Sequence, residues 1–282
     1  MNKVGIIGSG TMGSGIAELV ASSRFKVVLV DLKAEFLENA FSKIEKNLSR
    51  LVEKEKISDN EKNDIISKIN TTIDYRDLKD CELIIEAASE NIEIKKQIFE
   101  KLDTILKKDV IIASNTSTLP IIQLAAITNR PEKVVGIHFF NPAPVMKLVE
   151  IIESLATAKQ TTEIAKEFAA NLGKDPVITK DRPGFIVNRI LLPMLNEAVF
   201  AFEEGMGKAE DIDKAMKLGT NHPMGPLELI DLIGLDVTLD ILDVLSSEFK
   251  DPKYRAAPLL RQMVRAGNLG RKSGKGFYEY GK

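Results

Sequence analysis

The sequence predicts an α/β protein in which an N-terminal doubly wound domain is followed by an all-α C-terminal domain. Up to residue 181, short β-rich runs alternate with helical patterns, which is typical of a mostly parallel sheet covered on both faces. Beyond residue 181 the patterns are helical and no convincing strand is present. We therefore predict two domains, residues 1–183 and 184–282.

Seven apolar runs are the predicted strands. They are Lys3–Ile7, Lys26–Asp31, Glu82–Ala87, Asp109–Ser114, Val134–His138, Lys147–Ile152 and Asp175–Thr179. The clearest helix follows the second strand, because Leu37, Phe41, Ile44, Leu48 and Leu51 recur at spacings of four, three, four and three.

The remaining helices are predicted mainly in the C-terminal part. The segments are one long apolar helix from near Pro183, then Lys208–Leu218, Pro226–Ser246 and Pro252–Arg265. Upstream, Ser58 and Glu61 have the spacing of a capping box, which predicts that a new helix begins there.

The composition is that of a soluble globular protein. Of 282 residues, 44% are hydrophobic and 28% charged, and the net charge of −2 argues against a nucleic-acid partner. The single cysteine, Cys81, excludes an intramolecular disulfide. No apolar run approaches the ~20 residues of a membrane span, and a strand starting at Lys3 leaves no room for a signal peptide. We expect a cytoplasmic protein with no membrane partner and no metal.

The stretch "KVGIIGSGTMGSGIAELVASS" carries a glycine motif in a strand–turn–helix context. Glycines in this pattern allow a tight turn, close approach of a pyrophosphate to the backbone, and close packing of helix on strand. The helix N-terminus then offers free N–H groups to phosphate. A glycine turn without a ligand is the alternative. The candidate cofactor contacts in this stretch are Gly8, Gly10, Thr11, Met12 and Gly13.

The second predicted strand ends in Asp31, 18 residues after Gly13. A carboxylate at this point accepts hydrogen bonds from an adenosine ribose and repels a 2′-phosphate, which favours NAD over NADP. A strand-end aspartate that caps a helix is the alternative.

The stretch "VVGIHFFNPAPVMKLVEII" holds His138, one of only two histidines, and Glu150. His138 ends a predicted strand, and ligands of open α/β sheets bind outside the carboxyl ends of strands. If the two strands are neighbours, the carboxylate stabilises a charged imidazole and fixes its tautomer, as general acid–base catalysis requires. A strand-end histidine with a purely structural role, and a glutamate facing solvent from an edge strand, are the alternatives.

Two further polar groups are candidates for the same site. The segment "SNTS", Ser114 to Ser117, ends another predicted strand, and Asn188 interrupts the apolar "RPGFIVNRILL". A buried amide needs hydrogen-bond partners. A helix-capping serine cluster and a core asparagine bonded to backbone are the alternatives.

Five stretches together resemble the (S)-3-hydroxyacyl-CoA dehydrogenase family, and within it the bacterial type that acts on 3-hydroxybutyryl-CoA. They are "GIIGSGTMGSGIA", "SNTSTL", "GIHFFNPAPVMKLVEII", "DRPGFIVNRI" and "NHPMGPLELIDLIGLD". The resemblance covers essentially the whole chain, with order and spacing kept. It implies a Rossmann-like domain followed by a helical domain through which two subunits form a homodimer.

The resemblance also implies roles for individual residues. His138 is then the catalytic acid/base with Glu150 as its partner, and Ser117 and Asn188 hold the substrate oxygens. On the cofactor side, Glu90 and Lys95 in "ASENIEIKK" lie beside the nicotinamide ribose, and Asn141 lies near the cofactor.

In this family the long helix after the second strand contributes to coenzyme A binding. Here Lys43, Asn47, Arg50 and Lys54 form one stripe at helical spacing, opposite the apolar one. Lysine and arginine suit the coenzyme phosphates. Asn47 stands where relatives often have serine, and a solvated helix face is the alternative.

The implied reaction is reversible hydride transfer between NAD(H) and a short 3-hydroxyacyl-CoA. Acetoacetyl-CoA would be reduced to (S)-3-hydroxybutyryl-CoA, in butyrate or fatty acid metabolism. One alternative is a dehydrogenase of a free 3-hydroxy acid or sugar acid, although those enzymes often use a catalytic lysine. The other alternative is a non-catalytic dinucleotide-binding protein.

Overall fold

The computed structural model describes residues 1–281. The chain forms two compact units, Met1–Arg182 and a second that begins at Pro183. The first unit contains one eight-stranded sheet. Its strands are β1 (Lys3–Ile7), β2 (Lys26–Val30), β3 (Ile69–Thr72), β4 (Leu83–Glu86), β5 (Ile111–Ser114), β6 (Val134–Phe139), β7 (Leu148–Glu153) and β8 (Asp175–Lys180).

The strand order explains where a ligand can bind. The order is β3-β2-β1-β4-β5-β6-β7-β8, and every pair is parallel except β6 with β7. The chain moves outward from β1 in one direction and from β4 in the other, so the topological switch point lies between these two strands. Ile7 pairs with Glu86 there, and Glu86 pairs with Ser114 on its other side.

Helices cover both faces of the sheet. They are α1 (Thr11–Ser22), α2 (Ala34–Glu53), α3 (Asp59–Ser67), α4 (Ile92–Ile105), α5 (Ile121–Ala125) and α6 (Lys159–Asn171). Ile6 belongs to the core that contains residues of α1 and α2, whereas its neighbour Ile7, on the opposite face, is only 2% exposed. The predicted capping box between Ser58 and Glu61 is formed at the start of α3.

The sequence interpretation missed β3. This strand lies at one edge of the sheet, its sequence is "INTT", and Asn70 and Thr71 are exposed. Its four residues include one apolar side chain, that of Ile69, so the apolar signal that identified the other strands is absent.

The second unit is helical, as predicted. Its helices are α7 (Val187–Glu203), α8 (Ala209–Thr220), α9 (Pro226–Ile233), α10 (Leu235–Phe249) and α11 (Pro258–Arg265). Their core includes Leu195, Leu227, Leu242 and Leu260. Together with the sheet of the first unit, this confirms the predicted fold class.

Three predicted helix boundaries in the second unit are wrong. The first helix begins at Val187 instead of Pro183, because Gly184 and Phe185 have φ angles of 76° and 48°. The predicted helix Pro226–Ser246 is two helices, separated by Gly234 with a φ of 108°. The predicted helix Pro252–Arg265 is a short 3₁₀ turn followed by α11.

Within residues 1–281, no helix has the length and apolar character needed to span a bilayer. In the same residues no three histidine, cysteine or acidic side chains are grouped so as to bind a metal ion.

Candidate active site

Two glycines that follow β1, one in the loop and one in the first turn of α1, lie where the surrounding backbone leaves no room for a side chain. Gly8 has a φ of 92°, and a Cβ atom there would lie 2.7 Å from the Ala87 carbonyl oxygen. A Cβ atom on Gly13 would lie 1.8 Å from the Gly8 carbonyl oxygen. The backbone therefore approaches the end of β4 at Gly8, and the Gly8 carbonyl group at Gly13, too closely for a side chain at either position.

Gly10 is different, because a Cβ atom there would meet no protein atom within 4 Å. Gly10 is the N-cap of α1, no side chain caps this end, and the first turn contains no acidic residue. Open space in front of uncapped N–H groups at a helix N-terminus fits a phosphate. The loop therefore fits the pyrophosphate of a dinucleotide, with Thr11 and Met12 in the first turn.

A cleft of about 1160 Å³ opens in front of this loop. Gly10, Met12 and Asp31 lie on one side, and Ala88 and Ser89, which follow β4, lie on the other. The cleft therefore lies at the topological switch point, where α/β sheets bind nucleotides.

Asp31 is held in a fixed orientation at the edge of this cleft. Its Oδ2 atom accepts hydrogen bonds from the Ser9 N–H and the Ser9 hydroxyl, both at 2.6 Å, and its Oδ1 atom accepts one from the Leu32 N–H at 2.6 Å. The carboxylate remains partly exposed. It can accept further hydrogen bonds from ribose hydroxyls and disfavours a nearby phosphate.

His138 and Glu150 meet because of strand register. They are directly opposite each other in the antiparallel β6–β7 pair, and opposite residues project to the same face. The His138 Nδ1 atom lies 2.8 Å from Glu150 Oε2, and His138 and Glu150 are 4% and 1% exposed. The Nε2 atom of the same ring lies 3.0 Å from the Ser117 hydroxyl oxygen. Serine, histidine and glutamate therefore form one hydrogen-bonded line.

The turn that carries Ser117 is held by Glu90. Glu90 Oε1 accepts hydrogen bonds from the Ser117 N–H at 2.8 Å, the Thr116 hydroxyl at 2.5 Å, and the Thr118 N–H and hydroxyl at 3.2 and 3.1 Å. Burial raises the pKa of Glu90, but the Lys95 charge and these hydrogen bonds outweigh it and hold the pKa below its usual 4.5. Glu90 therefore stays charged and keeps the turn fixed.

Lys95 is almost fully buried, at 1% exposure. Its Nζ atom lies 2.7 and 2.9 Å from the two carboxylate oxygens of Glu86 and 3.5 Å from Glu90 Oε2. Lys95, which was predicted to contact the cofactor, is thus a buried side chain whose ammonium group pairs with two carboxylates. Sequence reasoning missed Glu86, because a single glutamate in "LIIEAAS" gives no sign of its distant partners.

A second buried lysine fixes the loop between β6 and β7. Lys174 Nζ donates to the carbonyl oxygens of Ala143, Pro144 and Met146 at 2.7, 3.2 and 2.8 Å. Burial lowers the pKa of Lys174. Asn141, the other predicted cofactor contact, lies exposed in the same loop.

The predicted coenzyme A stripe lies mostly on the exposed face of α2. Lys43 borders the cleft, Arg50 is exposed, and Lys54 follows the last residue of the helix. The Asn47 side chain donates to Glu18 at 3.1 Å. Burial raises the pKa of Glu18, and the Asn47 hydrogen bond opposes this only in part.

Asn188, the remaining predicted site residue, belongs to the second unit. It is the second residue of α7 and is partly buried there.

Comparison with known protein families assigns both units to one family. Residues 3–182 match the model of the 3-hydroxyacyl-CoA dehydrogenase NAD binding domain, and residues 184–280 match the model of the C-terminal domain of the same family. The chain belongs to the 3-hydroxyacyl-CoA dehydrogenase family. It is therefore an NAD-dependent oxidoreductase.

Individual relatives are similar over the full length. A 3-hydroxybutyryl-CoA dehydrogenase of Clostridioides difficile is 51% identical over 99% of this chain and 100% of its own. A mitochondrial hydroxyacyl-coenzyme A dehydrogenase of Sus scrofa is 42% identical over 99% of this chain and 91% of its own. The crystal structure of (S)-3-hydroxybutyryl-CoA dehydrogenase from Ralstonia eutropha has a TM-score of 0.97 and 47% identity, with 100% of both chains covered.

Proposed function

We propose that the protein is a 3-hydroxybutyryl-CoA dehydrogenase that reversibly reduces acetoacetyl-CoA to (S)-3-hydroxybutyryl-CoA with NADH. The observation that carries this proposal is the hydrogen-bonded line of Ser117, His138 and Glu150, in which His138 and Glu150 are buried. It lies at the same edge of the sheet as the glycine loop, since β1, β4, β5 and β6 are parallel. Full-length relatives named for this activity support the choice of substrate.

The cofactor would be held by the glycine loop and Asp31. The N–H groups at the start of α1 would bind the pyrophosphate, and the oriented Asp31 carboxylate would accept hydrogen bonds from the ribose hydroxyls. When bound, the nicotinamide supplies or accepts the hydride. The protein contributes the orientation of the reactants and the movement of the proton.

His138 moves that proton. In the reductive direction its Nε2–H donates to the oxygen of the substrate ketone as negative charge develops there. In the oxidative direction the neutral Nε2 takes the proton from the 3-hydroxyl group. Glu150 accepts the Nδ1–H in both states, which holds the tautomer and stabilises the imidazolium. Acid–base catalysis of this kind contributes about 10²- to 10⁴-fold in rate.

Ser117 would bind the same substrate oxygen as His138, because its hydroxyl is already within hydrogen-bond distance of Nε2. The resemblance to the family also makes Asn188 a proposed substrate contact. Asn188→Ala should then reduce turnover of acetoacetyl-CoA without weakening NADH binding, and calorimetry with NADH separates the two effects.

Serine, histidine and a carboxylate in line are also the parts of a serine hydrolase. A hydrolase needs N–H donors for the oxyanion, often including that of the serine itself. Here the Ser117 N–H donates to the charged Glu90, and a carboxylate at this point disfavours a second negative charge. The arrangement therefore favours proton transfer to an alcohol or ketone over acyl transfer to Ser117.

The test is an NADH oxidation assay with acetoacetyl-CoA and free acetoacetate in parallel, followed by longer 3-ketoacyl-CoAs and by NADPH. We expect turnover with acetoacetyl-CoA and NADH. Preference for the free acid would instead indicate a hydroxy-acid or sugar-acid dehydrogenase. Tight NADH binding without turnover on any acyl-CoA would indicate a non-catalytic protein.

We also propose that coenzyme A phosphates bind near the exposed basic face of α2. Arg50→Ala should raise KM for acetoacetyl-CoA but leave KM for acetoacetyl-pantetheine unchanged, because the truncated substrate lacks the nucleotide. An equal change in KM for both substrates would show that α2 does not bind the coenzyme A phosphates.

A homodimer formed through the second unit is a further part of the proposal. Several apolar side chains of this unit are strongly exposed: Ile190, Met206 and Leu218, at 68, 78 and 77%. Light scattering should give twice the mass of one chain. We place this enzyme in the cytoplasm, in butyrate or fatty acid metabolism.

A further inference from the structure

We propose that Glu86 is a positioning residue of this active site, which acts with Lys95 to fix the turn that holds Ser117 against His138. The inference rests on the proposed function and deepens it. It concerns a residue that touches neither the cleft surface nor the reacting atoms.

Glu86 is the last residue of β4, a central strand of the sheet, and is completely buried, at 0% exposure. Its Oε1 atom accepts hydrogen bonds from the Ala88 N–H at 2.7 Å and from Lys95 Nζ at 2.7 Å. Its Oε2 atom accepts hydrogen bonds from Lys95 Nζ at 2.9 Å and from the Ser114 hydroxyl at 2.7 Å. The groups that donate hydrogen bonds to the Glu86 carboxylate therefore lie on β5, on α4 and in the loop after β4.

Stability alone does not account for a buried ion pair at this place. Removing two charges from water is costly, and replacing such a pair with apolar residues of similar volume is often neutral or stabilising. The neighbouring interior positions of β4, Leu83, Ile84 and Ile85, are apolar and 0% exposed. A charged pair at the last position of this strand thus calls for a role other than packing.

The pair has a third member, because the Lys95 ammonium is also 3.5 Å from Glu90 Oε2. One cation therefore serves two carboxylates that hold the two ends of the same turn. Glu86 binds the Ser114 hydroxyl and, through its own carbonyl oxygen, the Asn115 N–H at 2.7 Å. Glu90 binds the next residues, including the Ser117 N–H.

Glu86 also connects this turn to the cofactor cleft. Ala88, whose N–H donates to Glu86, lines the cleft beside the glycine loop. The same carboxylate thus sets the positions of a cofactor-side loop and a substrate-side loop. Loss of its charge would leave Glu90 as the one carboxylate paired with Lys95 and would weaken the hold on Ser114, so that Ser117 loses its fixed position relative to His138.

The test is the isosteric substitution Glu86→Gln. We expect kcat to fall about 10²-fold, the size of effect that a misplacement of about 1 Å produces, with little change in the Kd for NADH. Because Glu86 acts through Ser117, the double variant Glu86→Gln/Ser117→Ala should be no slower than the slower single variant. Glu93→Gln is the matched control. Glu93 lies on α4, the helix that carries Lys95, but it forms an exposed ion pair with Lys96.

A readout without turnover makes the result independent of the substrate assignment. The chain has two histidines, so imidazole NMR signals can be assigned with His222→Gln. The His138 signals should shift in Glu86→Gln and in Ser117→Ala but not in Glu93→Gln. If Glu86→Gln does not fold, Ser114→Ala removes the hydroxyl that joins Glu86 to the turn, since this hydroxyl donates to Glu86 at 2.7 Å and accepts from the Thr116 N–H at 3.3 Å. This variant should shift the same signals and lower kcat.

The outcomes separate the two proposals. Absence of acetoacetyl-CoA reduction by the unmodified protein overturns the proposed function, while the NMR comparison still decides the role of Glu86. Three results would overturn the positioning role and leave the proposed function standing. They are normal turnover in Glu86→Gln, a kcat of the double variant reduced by the product of the two single reductions, and unshifted His138 signals in Glu86→Gln.

Discussion

The Nδ1 atom of His138 lies 2.8 Å from Oε2 of Glu150, and both side chains are nearly excluded from solvent. The contact follows from the register of the one antiparallel strand pair in the sheet. A carboxylate buried in this way is stable only if it is compensated, and the imidazole supplies the compensation when it carries a proton. The pair is therefore suited to gain and lose a proton at Nε2.

Replacing Glu150 with Gln removes the charge but keeps the volume. We expect kcat to fall about 10²-fold or more, with an altered dependence of kcat on pH, because the imidazolium loses its partner. The measurement is a pH–rate profile with acetoacetyl-CoA. Glu153→Gln is the control, since Glu153 ends the same strand and pairs with Lys180 instead. Equal profiles for the two variants would show that Glu150 does not assist His138.

The glycine loop allows a matched pair of substitutions. Gly10→Ala should leave the melting temperature nearly unchanged, since a Cβ atom there meets no protein atom within 4 Å, yet it should weaken NADH binding about tenfold or more. Gly13→Ala should impair folding itself, because its Cβ atom would lie 1.8 Å from the Gly8 carbonyl oxygen. Thermal unfolding and NADH titration distinguish the two. Undiminished NADH binding by Gly10→Ala would place the pyrophosphate elsewhere.

Asp31→Ser should reduce the preference for NADH over NADPH. The substitution removes the carboxylate that we propose accepts hydrogen bonds from the ribose hydroxyls and repels a 2′-phosphate. We expect the ratio of kcat/KM for NADH to kcat/KM for NADPH to fall at least about tenfold, equivalent to about 1.4 kcal/mol. Ser9→Ala keeps the carboxylate and its bond from the Ser9 N–H, so it should change the ratio much less. An unchanged ratio in Asp31→Ser means that another residue recognises the ribose.

Glu90 makes stability depend on pH in a defined direction. Its pKa in the folded protein lies below the usual 4.5, so its contribution is present above pH 4.5 and is lost as the pH falls towards the folded pKa. The melting temperature of Glu90→Gln should therefore lie below that of the unmodified protein at neutral pH, and the gap should narrow below pH 4.5. A gap that widens on acidification would contradict the hydrogen bonds assigned to Glu90.

Much of the fold was predictable because burial leaves a pattern in the sequence. Strands β1, β4 and β5 are covered on both faces and appear as continuous apolar runs. Strand β3 is exposed at the edge and has no such run. The break at Gly234 was missed because the flanking apolar pattern continues across it, and only the φ angle of 108° separates the two helices.

The candidate site was predictable to the extent that its residues stand at strand ends. His138 and Asp31 follow apolar runs, and Glu150 interrupts one, so each can be found by inspection. Glu86 also ends an apolar run, but its role cannot be found by inspection. Its partners Lys95 and Ser114 are 9 and 28 positions away and are brought together only by the sheet order and α4. For the same reason, nothing in the residues around Lys95 indicates that its side chain is buried.

The most direct test of the central claim is a comparison of His138→Gln with the unmodified enzyme. Both are saturated with NADH, mixed with acetoacetyl-CoA, and followed through a single turnover by the loss of NADH absorbance. We expect NADH to bind normally to His138→Gln and the rate of its oxidation to fall by about 10²- to 10⁴-fold. Oxidation of NADH at the unmodified rate would show that the proton comes from another group.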